Sequence, residues 1–89
     1  MKRSPDFLLR QVAGKQVAVP VGKASVKFHG MLTLNGTSAY VWQLLEQEQT
    51  IDSLTQAMCA RYEVDADTAR NDVTAFVEKL RAVGAIIGE

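Results

Sequence analysis

The chain changes its hydrophobic period near the middle, and this change constrains the fold more than any single residue. Residues 7–34 carry short β-like runs, whereas residues 36–83 repeat apolar residues at helical spacing. Phe7–Val12 is apolar-rich and ends at Ala13-Gly14, a turn. Gln16–Val19 follows and stops at Pro20, which has no N–H to give to a ladder. Together they predict a hairpin turned at the glycine. Ser25–His29 alternates polar and apolar residues as an extended run does, Gly30 interrupts it, and Met31–Leu34 reads as a separate short strand.

The second half reads as three helices. Asn35 is placed to cap the first, over about 37–47, with Thr37 and Ser38 as competing caps. That helix is expected to bury Ala39, Val41, Trp42, Leu44 and Leu45. Thr50 caps the second, with Asp52 in its first turn and Ile51, Leu54, Met58 and Tyr62 on one face. Asp65 caps the longest, about 66–83, whose expected core stripe is Ala69, Val73, Phe76, Leu80 and Val83. Gly84 supplies a left-handed stop, and Ala85-Ile86-Ile87 is expected to fold back on the core. Three strands followed by three helices is an α+β arrangement.

Composition narrows the function classes. Eighty-nine residues form one domain, 1–89, and a hydrophobic share of 47% belongs to a folded chain. Ten basic residues balance ten acids, which weakens whole-protein attraction to nucleic acid or an anionic membrane. The balance is a cancellation: residues 1–36 hold six basic residues against Asp6, and residues 37–89 hold four against nine acids. A single Cys makes neither an internal disulfide nor a thiolate zinc site. No apolar run approaches the ~20 residues needed to span a bilayer, and MKRSPDFLLRQV lacks a signal-peptide core. These features predict a reduced, soluble, cytoplasmic domain.

Catalysis finds no constellation. A nucleophile needs a base, and the candidates of that kind are Cys59 and His29. Cys59 beside Met58 reads as a small buried thiol, and His29 as a surface histidine without partners at ligand spacing. Asp65 and Asp67 read as a helix cap and a first-turn carboxylate, Trp42 as core, and the glycines are too scattered for a phosphate loop. No catalytic residue, metal ligand or cofactor is expected.

Surface shape remains. A three-stranded sheet has two open edges, and an unblocked edge recruits a further strand. Met31, Leu32, Thr33 and Leu34 contain no proline, so an extended peptide could pair with their backbone. On the long helix, at about 100° per residue, Arg70, Thr74, Val77 and Arg81 share one flank, with Val77 at its exposed edge. Asp72, Ala75 and Lys79 share the other. The first flank offers two planar guanidinium forks for carboxylates. The bland alternative pairs those arginines with Asp67 or Glu78 on a solvated boundary.

The run Met31-Leu32-Thr33-Leu34-Asn35-Gly36-Thr37, continued through Trp42–Leu45, Thr50–Leu54, Tyr62–Asp65, Asp72-Val73 and Phe76–Gly84, resembles the PqqD family. Val19-Pro20 and Phe28-His29-Gly30 fall in matching places, so the resemblance covers about Phe7 to Ile87. It implies a winged helix-turn-helix-like fold, with an N-terminal three-stranded antiparallel sheet and three helices. It also implies a non-catalytic peptide chaperone that binds the leader of a ribosomally made precursor and delivers it to a modifying enzyme, often a radical S-adenosylmethionine protein. In PqqD itself the pathway makes pyrroloquinoline quinone; here the resemblance carries the binding mode and not the product. The leader of such proteins adds a strand to the third strand and lies beside the third helix. Those positions here are Met31–Leu34 and the helix bearing Arg70, Thr74, Val77 and Arg81.

The alternative reading is a winged-helix DNA-binding regulator, with Arg70, Asn71 and Thr74 in the major groove. Glu63, Asp65, Asp67 and Asp72 crowd that helix start and oppose phosphates. A homodimer that pairs strand edges is a third expectation.

Overall fold

The structure, a computed structural model, describes residues 1–22 and 31–88. The expected extended run Ser25–His29, with Gly30, lies outside the described residues, as do Lys23, Lys27 and the histidine itself. The eight elements among the described residues are β1 (Lys2–Arg3), β2 (Phe7–Val12), β3 (Lys15–Pro20), β4 (Leu32–Leu34), α1 (Gly36–Leu44), α2 (Ile51–Arg61), α3 (Ala66–Ala82) and β5 (Ile86–Ile87).

The expected hairpin forms. β2 and β3 pair antiparallel from Phe7↔Pro20 to Val12↔Lys15. Ala13 (φ 53°) and Gly14 (φ 80°) therefore close it as a two-residue turn with both residues left-handed, the twist that suits a hairpin. β4 pairs antiparallel with β3 through Gln16↔Leu34, Val17↔Thr33 and Ala18↔Leu32. The sheet order is β2-β3-β4, so among the described residues β4 is an edge strand. It begins at Leu32; Met31, expected inside the strand, precedes it and is 54% exposed.

A second, two-stranded sheet pairs β1 with β5, Lys2↔Ile87 and Arg3↔Ile86. Ala85 and Ile86 are buried, as the fold-back of the chain end requires, whereas β1 was not expected. Two-residue strands are too short to show a period in sequence.

The helix starts follow their caps. Asn35 Oδ1 accepts from the Ser38 N–H (2.8 Å) and from the Thr37 hydroxyl (2.9 Å), so Asn35 is the cap and its two competitors are its partners. Thr50 and Ser53 form a reciprocal capping box. Asp65 accepts from the Thr68 N–H at 2.8 Å. α1 stops at Leu44, short of the expected 47, and Leu45 packs fully buried as its C-cap.

The core joins the sheet's inner face to the helices. Trp42 is fully buried, with Phe7 edge-on at 6.4 Å between ring centroids. The Arg3 guanidinium lies over the Trp42 ring and donates to its carbonyl at 2.9 Å. Leu54, Ala69 and Leu80 are fully buried where α2 and α3 contribute to the core. The α3 stripe is rotated from its expected phase. Ala69, Val73, Val77 and Leu80 are buried, while Phe76 and Val83 are only half-buried. Val77, expected at an exposed edge, is 1% exposed. Phe76 and Val77 are adjacent apolar residues, and the contact partners rather than the spacing decide which one points inward. Among the described residues no helix is long and apolar enough to cross a membrane.

Candidate functional site

Three local features meet beside the sheet edge. β4 is paired only with β3, and among the described residues no strand occupies its other side. Such an edge presents backbone N–H and C=O groups that water alone satisfies. Leu34 is buried and Leu32 half-buried, so β4 is anchored to the core by its inward side chains while Thr33 stays exposed. Asn35 then ends the strand and starts α1, which fixes the strand end against the helix layer.

Next to that junction lies a groove of about 270 Å³ between the start of α1 and the middle of α3. Val41, Met58 and Val73 border it but are almost fully buried, so half-buried Phe76 is the large apolar group it exposes. Asn35, Thr37 and Ser38 line it from α1's start, and Asp72, Ala75 and Lys79 from α3. A second hollow, about 460 Å³, is lined by Gly14, Lys15, Gln16, Thr33, Leu34, Asn35 and Gly36. The two share Asn35, so they meet at the end of β4, the second hollow lying on the β3 side of that end. The exposed lining of the groove is more polar than apolar, and Phe76 is its large aromatic group.

The expected site residues separate in space. Thr33 and Leu34 line the second hollow, with Leu32 one residue behind in the same strand and Met31 exposed before it. The expected helix flank does not line the groove. Val77 is in the core. Arg70 pairs with Asp52 of α2, a partner other than the expected Asp67 or Glu78. Arg81 donates to the Gly88 carbonyl at 3.5 Å and approaches Met1 Sδ at 3.8 Å, so it faces the chain ends. Thr74 is exposed and is not among the groove's lining residues. The groove-facing flank is the other one, Asp72, Ala75 and Lys79 with Phe76. Helical geometry separates the two flanks correctly, but choosing between them needs the position of the start of α1, which spacing along one helix does not contain. Phe76, which borders the second flank and was expected in the core stripe, is half-exposed in the structure, and its burial could not be read from the sequence.

Titratable chemistry is sparse. Asp65 is held below the ordinary carboxylate range, first by the Thr68 backbone N–H and then by the Thr68 hydroxyl, which is cap chemistry. Cys59 is exposed rather than buried, because it is one residue, about 100°, past inward-facing Met58. Among the described residues no group of three or more His, Cys, Asp or Glu could hold a metal ion.

The model of the family described as Coenzyme PQQ synthesis protein D (PqqD) matches residues 10–86. No curated protein sequence matches. Two solved structures share the fold. One is TbiB1 in complex with the TbiA(beta) leader peptide, at TM-score 0.78 and 22% identity, covering 100% of this chain and 98% of that one. The other is lasso peptide synthetase B1 complexed with the leader peptide, at TM-score 0.74 and 23% identity, covering 98% and 96%. At these identities the likeness carries the fold alone.

Proposed function

The chain belongs to the PqqD family, and we propose that it is a non-catalytic adaptor that binds the leader of a ribosomally made precursor peptide. The leader adds as a strand to the outer edge of β4 and lays alternate side chains into the groove against α3. One observation carries this reading: among the described residues the outer edge of β4 has no strand partner, and Asn35 at the strand's end also lines the groove against α3, so strand addition and groove contact are open to one extended peptide. The solved relatives complexed with leader peptides support the same class of ligand. The bound leader then presents its precursor to a modifying enzyme, of the radical S-adenosylmethionine class that often partners this family.

The site proposed for the strand is Met31–Leu34, with Leu32, Thr33 and Leu34 supplying the pairing backbone. On the helix side the reading favours Asp72, Ala75, Phe76 and Lys79 over Arg70, Thr74, Val77 and Arg81. A DNA reading draws no support from α3. Arg70, which it would send to the major groove, is engaged by Asp52, and Asp65, Asp67 and Asp72 lie exposed along the same helix.

Fluorescence-anisotropy titration with leader and core halves of short precursors encoded beside the gene tests the proposal. The leader half is expected to bind saturably and the core half not. Absence of binding by every leader tried, with binding to duplex DNA that weakens steeply with salt, would overturn it.

A further inference from the structure

Resting on the leader-binding reading, we propose that the groove also selects its peptide by charge order. The preferred segment places a basic side chain beside Asp72, an apolar one over Phe76 and an acidic one beside Lys79. Asp72 and Lys79 both line the groove and are both exposed. Neither makes an ion pair with a described residue; the pairs among the described residues are Met1–Glu48 and Arg70–Asp52. Helical neighbours give no alternative. The positions three and four residues away from Asp72 are Thr68, Ala69, Ala75 and Phe76, and those around Lys79 are Ala75, Phe76, Ala82 and Val83, none charged. The groove therefore carries two opposite charges with no ion-pair partner among the described residues, set on either side of an aromatic ring.

Geometry sets the spacing of the complementary peptide. Seven residues of α-helix rise about 10 Å. In an extended strand, residues i, i+2 and i+4 face one side, and i to i+4 spans about 13 Å. The flexible stem of Lys79 can absorb the difference. A charged–apolar–oppositely charged pattern on alternate residues thus matches the groove, and its segment is close to neutral. This differs from the acidic leader that a wall of two arginines would favour.

Panning a display library of short peptides, randomised at alternate positions, against the protein and against the double variant Asp72→Lys/Lys79→Asp tests this. Peptides selected by the protein are expected to share one charge order, and those selected by the variant the reverse. Resynthesised winners should bind their own selector about two- to tenfold tighter than charge-reversed copies, the range of two partly exposed ion pairs. The neutral pair Asp72→Asn/Lys79→Gln should bind both orders alike. Identical or charge-independent winners from both proteins would overturn charge selection while leaving leader binding in place. No enrichment on either protein would overturn both.

Discussion

Ala13 is the residue at which local conformation and chemistry disagree. It holds φ 53° in the β2–β3 turn, a left-handed conformation that costs an alanine on the order of 1 kcal/mol and an asparagine less. Ala13→Asn should therefore raise stability by about 0.5–1 kcal/mol, seen as a higher urea midpoint at unchanged slope. Phe76 and Val77 separate stability from binding. Val77 is fully buried, so Val77→Ala should cost about 2 kcal/mol in a denaturation experiment and leave leader affinity of the folded protein nearly unchanged. Phe76 is half-buried on the groove, so Phe76→Ala should show the reverse emphasis, with weaker leader binding and a smaller loss of stability. The sequence alone did not distinguish these two residues. Adjacent positions lie about 100° apart, and an apolar arc centred on either one accommodates Ala69, Val73 and Leu80.

Elements were legible where their determinants are local. Asn35, Thr50 and Asp65 start helices through side chains that bond only three residues ahead, and each is recognisable from residue type and position. The hairpin is legible for the same reason, since Ala13-Gly14 separates two apolar runs by a single turn. β1 and β5 depend on each other across nearly the whole chain and left no local pattern. The α3 cap makes a pH prediction. The folded-state pKa of Asp65 is depressed, so its stabilising contribution is complete above the ordinary carboxylate range and is lost as pH falls through the lowered folded value. Asp65→Asn keeps a side-chain acceptor for Thr68 but does not titrate. Urea midpoints measured at neutral pH and in acid should fall less for Asp65→Asn than for the unaltered protein, and equal falls would assign acid sensitivity elsewhere.

For the whole molecule, the α+β architecture followed from the change of period, but the site did not follow from the fold class. The strand of the candidate site was readable as a strand, because Met31–Leu34 is a proline-free run next to a helix cap and Leu32–Leu34 of it pairs with β3. The helix flank that lines the groove was not, because it depends on which side of α3 faces the start of α1, a relation between elements far apart in sequence. Net neutrality likewise conceals an uneven surface: the first 36 residues are basic, the rest acidic, and the groove holds one charge of each sign. The arginine pair once expected at the groove instead ties α3 to α2 and to the chain ends. The central claim is strand addition at β4, and residue-resolved amide hydrogen exchange with and without saturating leader peptide tests it most directly. Protection gained within Leu32–Leu34, with backbone shifts concentrated along Asp72–Lys79 of α3, is the predicted result. Protection gained along β2 with β4 unchanged, or shifts centred on Arg70 and Arg81, would contradict it.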